Sequence, residues 1–207
     1  MKFYGYWLLL LIFVKSSYCY SQNTGTFTDR RDNHIYKWIK LGDQIWMGQN
    51  LAFKADEGCW AYDDDHKNVD VYGYLYDWNA AMTSCPDGWH LPADQEWEKL
   101  AVYVSQNYDG CEKKDENWIN VGDFLKSDKG WNFDGNGNNL TGMSFVPGGW
   151  RSYVGDFKAI EESCSFWSST LNNETSAWKR GVVYKDTEFK RSYSLGATGF
   201  SVRCIKN

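Results

Sequence analysis

A chain of 207 residues suits a single folded domain, and its composition is that of a globular protein. The apolar fraction is 43% and the aromatic fraction 18%, with 12 tryptophans, which argues against a disordered chain. The formal net charge of −5 at pH 7 predicts an acidic surface, so nucleic acid is not expected as a partner.

The N-terminal segment has the parts of a secretory signal peptide. Lys2 supplies a positive charge, residues 3–14 form an apolar run, and small residues follow at Cys19 and Ser21. We therefore predict a signal peptide over residues 1–21 and a secreted or cell-surface protein. The alternatives are a retained membrane anchor, for which the run is short, and a lipid attached to Cys19. No later stretch is apolar enough for a membrane span in the mature chain.

The mature chain would keep five widely spaced cysteines, with no Cys-x-x-Cys pair. This spacing disfavours zinc sites and thioredoxin-type chemistry and favours disulfides in an oxidising compartment. An odd number leaves at least one cysteine unpaired, and spacing alone does not assign the pairs. The five are Cys59, Cys85, Cys111, Cys164 and Cys204.

The first elements predicted after the signal peptide are a lead and a hairpin. Residues 22–33 are polar and rich in turn-forming residues, so we predict a loose N-terminal lead before one domain over residues 34–207. Interleaved apolar and polar residues over 35–41 and 44–47 predict two strands joined by a turn.

Helices are predicted next along the chain. Residues 72–82 have the spacing of a short helix. The clearest helix covers residues 94–104, where Trp97, Leu100 and Val104 recur on one face. A further helical turn is predicted over residues 121–126.

The last forty residues have the composition of strands, which we predict over 166–169, 177–184, 189–194 and 200–205. With helices early and strands late, the predicted class is one α+β domain.

The sequence lacks the common catalytic patterns. Its three histidines have no metal-ligand spacing, and neither a Gly-x-Ser-x-Gly nucleophile motif nor a phosphate-binding Gly-x-x-x-x-Gly-Lys motif occurs. No cofactor is expected. Asp134, Asn136 and Asn138 place oxygens at alternate positions and are weak candidates for calcium, although glycine- and asparagine-rich segments more often form turns.

Seven short motifs, taken in order, carry a resemblance to a known family. They are WMGQNL at 46–51, YGYLYDWNAA at 72–81, CPDGWHLP at 85–92, EW at 96–97, PGGWR at 147–151, FWSST at 166–170 and FSVRC at 200–204. This ordered set resembles the Fibrobacter succinogenes major paralogous domain family over about residues 28–206.

The resemblance implies a C-type-lectin-like α+β fold. Short helices in the first half and an antiparallel sheet completed by the C-terminal strands would be tied together by a long-range disulfide between Cys85 and Cys204. We expect Cys111 and Cys164 as a second pair, which leaves Cys59 unpaired. The motifs through which C-type lectins hold sugar with calcium are not present in this sequence.

The resemblance and the missing catalytic patterns predict a non-catalytic binding module for a carbohydrate, a cell-envelope component or a protein. Trp60, Trp118 and Trp131 lie outside the shared motifs and are the candidate binding aromatics, unless they pack as a satellite core. One alternative is an enzyme of the formylglycine-generating, sulfatase-modifying type, which needs two reactive cysteines. Another is a structural envelope subunit linked to another chain through Cys59.

Overall fold

The computed structural model describes residues 23–207, in which strands predominate over short helices. The predicted signal peptide and Cys19 lie outside these described residues. The helices are α1 (Val69–Tyr72), α2 (Trp78–Ser84), α3 (Asp94–Asn107) and α4 (Val121–Leu125), with 3-10 turns at Tyr62–Asp64 and His66–Asn68. The strands of the first half are β1 (Asn23–Thr28), β2 (Ile35–Leu41), β3 (Gln44–Met47), β4 (Cys59–Trp60), β5 (Leu75–Tyr76), β6 (Trp89–His90), β7 (Glu112–Lys114) and β8 (Asn117–Ile119). Those of the second half are β9 (Gly148–Arg151), β10 (Phe157–Ile160), β11 (Ser163–Asn173), β12 (Ser176–Val183), β13 (Lys190–Leu195), β14 (Phe200–Ser201) and β15 (Ile205–Lys206).

The strands of the described residues form two main sheets and one small hairpin. The first sheet has the order β1-β2-β3-β15-β6, and the second has the order β10-β9-β11-β14-β5-β4. In the second sheet β12 also pairs with β11, and β13 pairs with β12. Because β11 runs parallel to β9 and to β14, this sheet is mixed and not purely antiparallel as expected.

The hairpin of β2 and β3 confirms the prediction for residues 35–47, whereas residues 23–28 of the predicted loose lead form the strand β1. Within that segment the whole of β1 pairs antiparallel with residues 35–40 of β2. A side chain at Gly25 would come within 2.6 Å of the Trp38 ring, so the indole lies directly against the β1 backbone. Cross-strand hydrogen bonds and this contact order a segment whose composition suggested a loop.

Helix α3 confirms the clearest predicted helix and continues to Asn107. Trp97, Leu100 and Val104 are fully buried, as their period indicated. The helix predicted over 72–82 is only partly correct, because α2 begins at Trp78 after strand β5.

The predicted C-terminal strands are confirmed in β11, which is longer than predicted, and in β12 and β13, whereas the strand predicted over 200–205 is divided into β14 and β15. Strands also fill the first half. Two clusters of buried side chains make up the core. One cluster surrounds Trp46 and Trp97, whose ring centroids lie 4.6 Å apart. The other surrounds Tyr76 and Trp167, and the Trp167 indole donates to the Tyr76 carbonyl.

A disulfide joins Cys85, just after α2, to Cys204, between the last two strands, as the resemblance implied. The second expected bridge is wrong, because Cys111 and Cys164 are free thiols. Cys164 is fully buried on β11 within the core, and its burial raises the pKa of its thiol to about 12. Cys111 lies half-buried before β7, at the edge of the same cluster. Apolar packing accommodates these thiols without a covalent bond.

A fully buried arginine ties the C-terminal segment to two distant loops. Arg203 donates to the Asn50 side-chain oxygen at 2.6 Å, to the Met143 carbonyl at 2.6 Å and to the Met47 carbonyl at 3.2 Å. Burial lowers the pKa of Arg203 to about 9, and no carboxylate of the described residues lies within ion-pair distance of it. Amide and carbonyl oxygens therefore replace the counter-ion.

Candidate binding groove

An open groove of about 470 Å³ lies where four separate parts of the chain meet. They are the loop between β9 and β10, the turn between β11 and β12, the loop between β13 and β14, and the start of α2. Three large side chains in its walls are exposed to solvent: Tyr153 is 63% exposed, Leu171 49% and Leu195 46%. Exposed apolar and aromatic side chains gathered in one concave surface are typical of ligand-binding sites.

Backbone hydrogen bonds hold the groove in place. The Trp78 backbone N–H donates to the Gly196 carbonyl, and the Gly196 N–H donates to the Thr175 carbonyl. The Trp78 indole also donates to the Ser168 carbonyl at 2.9 Å. Two loops and the start of α2 are thus bonded together, and the groove is pre-formed.

Tyr153 owes its exposure to the turn that carries it. The Gly155 N–H donates to the Ser152 carbonyl, and the Asp156 N–H donates to the Ser152 hydroxyl. Gly155 has a φ of +109°, a conformation that other residues rarely adopt. These hydrogen bonds close the turn, and Tyr153 within it lines the groove.

The three tryptophans predicted to bind a ligand do not line this groove. Trp118 and Trp131 are buried, at 7% and 5% exposure, and belong to the core around Trp97. Their indole N–H groups have internal acceptors, since Trp118 donates to Glu98 and Trp131 to Ser127. For these two residues the structure favours the alternative, which is packing in the core.

Trp60, the third candidate, is half-buried on β4. The guanidinium carbon of Arg151 lies 4.1 Å from the centroid of its ring. This distance is that of a cation–π contact, so one face of the indole is already covered.

The calcium candidates use their oxygens to form turns. The Asn136 side-chain oxygen accepts from the Trp131 N–H, and that of Asn138 accepts from the Leu140 N–H, both at 3.1 Å. Asp134 is exposed with a φ of +57°. Within residues 23–207, no group of three or more His, Cys, Asp or Glu side chains could hold a metal ion. The interpretation as structural turns is the better one.

Cys59 is a free, half-buried thiol on β4. Burial raises its pKa to about 11, so the thiolate needed for disulfide exchange is scarce at neutral pH. An intermolecular bridge through Cys59 stays a prediction.

A lysine paired with a serine lies on neighbouring strands. The Lys179 ammonium on β12 donates to the Ser165 hydroxyl on β11 at 3.2 Å, and it lies 5.0 Å from the centroid of the Phe200 ring. Burial lowers the pKa of Lys179 to about 8. Such a pair can activate a serine in hydrolases, but Ser165 is buried and neither residue lines the groove.

We expect Lys179 to make the free energy of unfolding depend on pH in the alkaline range. Between pH 8 and the usual lysine pKa of about 10.4, the unfolded state keeps a proton on Lys179 that the folded state releases. Relative to a Lys179→Met variant, the free energy of unfolding of the natural protein should therefore rise by about 2–3 kcal/mol over this range. Urea unfolding of both proteins across the range measures it, and the comparison cancels the cysteine titrations that both share. A constant difference would show that Lys179 has an ordinary pKa.

The fold and the groove define a class: a mixed α/β domain, mostly sheet with few short helices, with one disulfide within the described residues and an open groove between loops. A family model described as the Fibrobacter succinogenes major domain matches residues 39–206, so the chain belongs to this family. Comparisons with curated proteins and with solved structures gave no match. None of the helices within residues 23–207 is long and apolar enough to cross a membrane.

Proposed function

We propose that this protein is exported and acts, outside the cell or on its surface, as a non-catalytic binding module for carbohydrate. The observation that carries the proposal is the pre-formed groove whose exposed walls include Tyr153, Leu171 and Leu195. An exposed tyrosine can stack on a sugar ring at little entropic cost, since it has few rotatable bonds.

The other groups of the groove also favour a sugar. Asn79 and Thr175 are exposed and supply an amide and a hydroxyl beside the apolar walls, and such groups can bond sugar hydroxyls. A peptide that adds a strand needs free backbone groups, whereas Trp78 and Gly196 already use their N–H groups inside the fold. Recognition in this groove would therefore rely on side chains.

We also propose that the fold is C-type-lectin-like. In support, the disulfide joins Cys85, between the helices α2 and α3, to Cys204, beside the final strand. The paired positions are 119 residues apart, as in a long-range bridge that closes most of a domain.

The alternative of a formylglycine-generating type of enzyme has less support. That chemistry requires two reactive cysteines, and Cys204 is held in the disulfide. Burial raises the pKa of Cys59 to about 11 and that of Cys164 to about 12, which opposes thiolate formation. Partly or fully buried thiols with a raised pKa are more consistent with a binding module than with this type of enzyme.

The test is a glycan-array screen of the mature chain, followed by titration of the best ligand. Tyr153→Ala should weaken binding about tenfold or more through the loss of stacking. Phe133→Ala is the matched control, because Phe133 is an aromatic residue with 75% exposure outside the groove, and it should bind as the natural protein does. An array without binding, or an equal loss in both variants, would reject the proposal.

A further inference from the structure

A second, larger depression adjoins the groove at the start of α2. This neighbouring groove has a volume of about 650 Å³ and shares Asp77 and Asn79 with the first. Asp56 and Glu57 line its outer part. A ligand longer than one sugar unit could therefore extend from Tyr153 towards these two carboxylates.

All charged side chains that line the two grooves are acidic. They are Asp56, Glu57, Asp77 and Glu174. None of them forms an ion pair within 4.0 Å with a basic group of the described residues.

The nearest basic residues do not neutralise this charge. The guanidinium carbon of Arg31 lies 3.7 Å from the centroid of the Phe53 ring, and Arg31 donates to the Ser84 carbonyl. Its charge is already paired, because both Asp29 carboxylate oxygens accept from the guanidinium. Lys54 is exposed and lines neither groove. The joined grooves thus combine an apolar end with an acidic end that lacks a counter-ion among residues 23–207.

We infer that the ligand is an oligosaccharide with free amino groups, which lays one sugar on Tyr153 and places a protonated amine near Asp56 and Glu57. This inference rests on the proposed function and names the class of sugar. Charge complementarity at a groove selects among ligands of similar shape and weakens as salt rises. A basic peptide has the same charge, but the backbone hydrogen bonds of the groove disfavour strand addition.

Two tetrasaccharides of identical backbone test the inference: β-1,4-linked glucosamine and its fully N-acetylated form. The adjacent oxygens lower the pKa of a sugar amine below that of an ordinary amine, so calorimetric titration is done at about pH 5, where the first sugar is positively charged, the second is neutral and ordinary carboxyl groups are still ionised. We expect the free-amine sugar to bind about tenfold more tightly at low salt. That preference should shrink at about 300 mM salt, where charges are screened over a few ångströms.

The variant is the double substitution Asp56→Asn with Glu57→Gln, which should abolish the preference for the free-amine sugar over the acetylated one. Asp77 is left intact because it accepts from the Ala80 N–H and caps α2. The matched control is Asp63→Asn with Asp64→Asn, which removes two exposed carboxylates outside both grooves. Both positions have positive φ, which asparagine tolerates. The control should keep the preference.

Each outcome decides between the two proposals. Equal binding of the two sugars, lost in Tyr153→Ala, overturns the inference and leaves the proposed function standing. An absence of binding to both sugars and to the wider array overturns both. Trilysine peptide serves as the third ligand, and tighter binding of this peptide than of the free-amine sugar also overturns the inference.

Discussion

Replacing both Cys85 and Cys204 by alanine is expected to lower the free energy of unfolding by about 4 kcal/mol. The bridge closes a loop over a sequence separation of 119 residues, so its removal frees a large part of the unfolded chain. In the folded protein it also holds the C-terminal segment, where the Cys204 carbonyl accepts from the Met47 N–H at 2.9 Å. For a chain of this size, the loss corresponds to a fall of about 10 °C in Tm.

Urea and thermal unfolding of the two proteins measure this effect. Cys111→Ala is the control, because Cys111 is a free, half-buried thiol and its substitution leaves the bridge intact. A reducing agent should destabilise the natural protein and the control, and should leave the double variant unchanged. Equal stability of the natural protein and the double variant would mean that the bridge adds nothing.

Arg203→Met is expected to cost about 3–5 kcal/mol of stability, although methionine fills much of the same volume. The substitution leaves the Asn50 side-chain oxygen and the carbonyls of Met47 and Met143 without their buried donor. Each unsatisfied buried acceptor costs about 1–3 kcal/mol. Arg203→Lys should recover only part of the loss, because an ammonium cannot reproduce the fork of guanidinium donors.

Denaturant unfolding tests this second expectation, with Arg30→Met as the control. Arg30 is exposed, so its substitution should change the free energy of unfolding by no more than about 0.5 kcal/mol. If Arg203→Met were as stable as Arg30→Met, the hydrogen bonds of Arg203 would not contribute to the fold.

Local pattern accounts for the elements that were predicted correctly. Helix α3 has Trp97, Leu100 and Val104 on one face, and this period is visible in a short window of sequence. The hairpin of β2 and β3 has a similar local signal, with Gly42 at a φ of +62° in its turn. Strand β1 had no such signal, because its order depends on pairing with β2 and on the contact between Gly25 and Trp38.

The candidate site was beyond what local pattern can predict. Tyr153, Leu171 and Leu195 come from three loops or strand ends that are distant in sequence, and none carries a motif. A better signal for the groove would have been large apolar residues next to turn-forming residues, as at Tyr153 and Leu195. Trp118 and Trp131 were candidates because they lie outside the shared motifs, but both pack in the core, since segments outside the motifs can fold back over it.

By itself the sequence determined the family, the main helix and the hairpin, because ordered motifs and short-range periodicity carry that information, and the resemblance to the family implied the bridge between Cys85 and Cys204. Only the tertiary structure decided which tryptophans are exposed and that Cys111 and Cys164 stay free. It also brought four distant segments together around one groove. Exposure, pairing and concavity depend on contacts between residues far apart in the chain, and such contacts leave no regular spacing in the sequence.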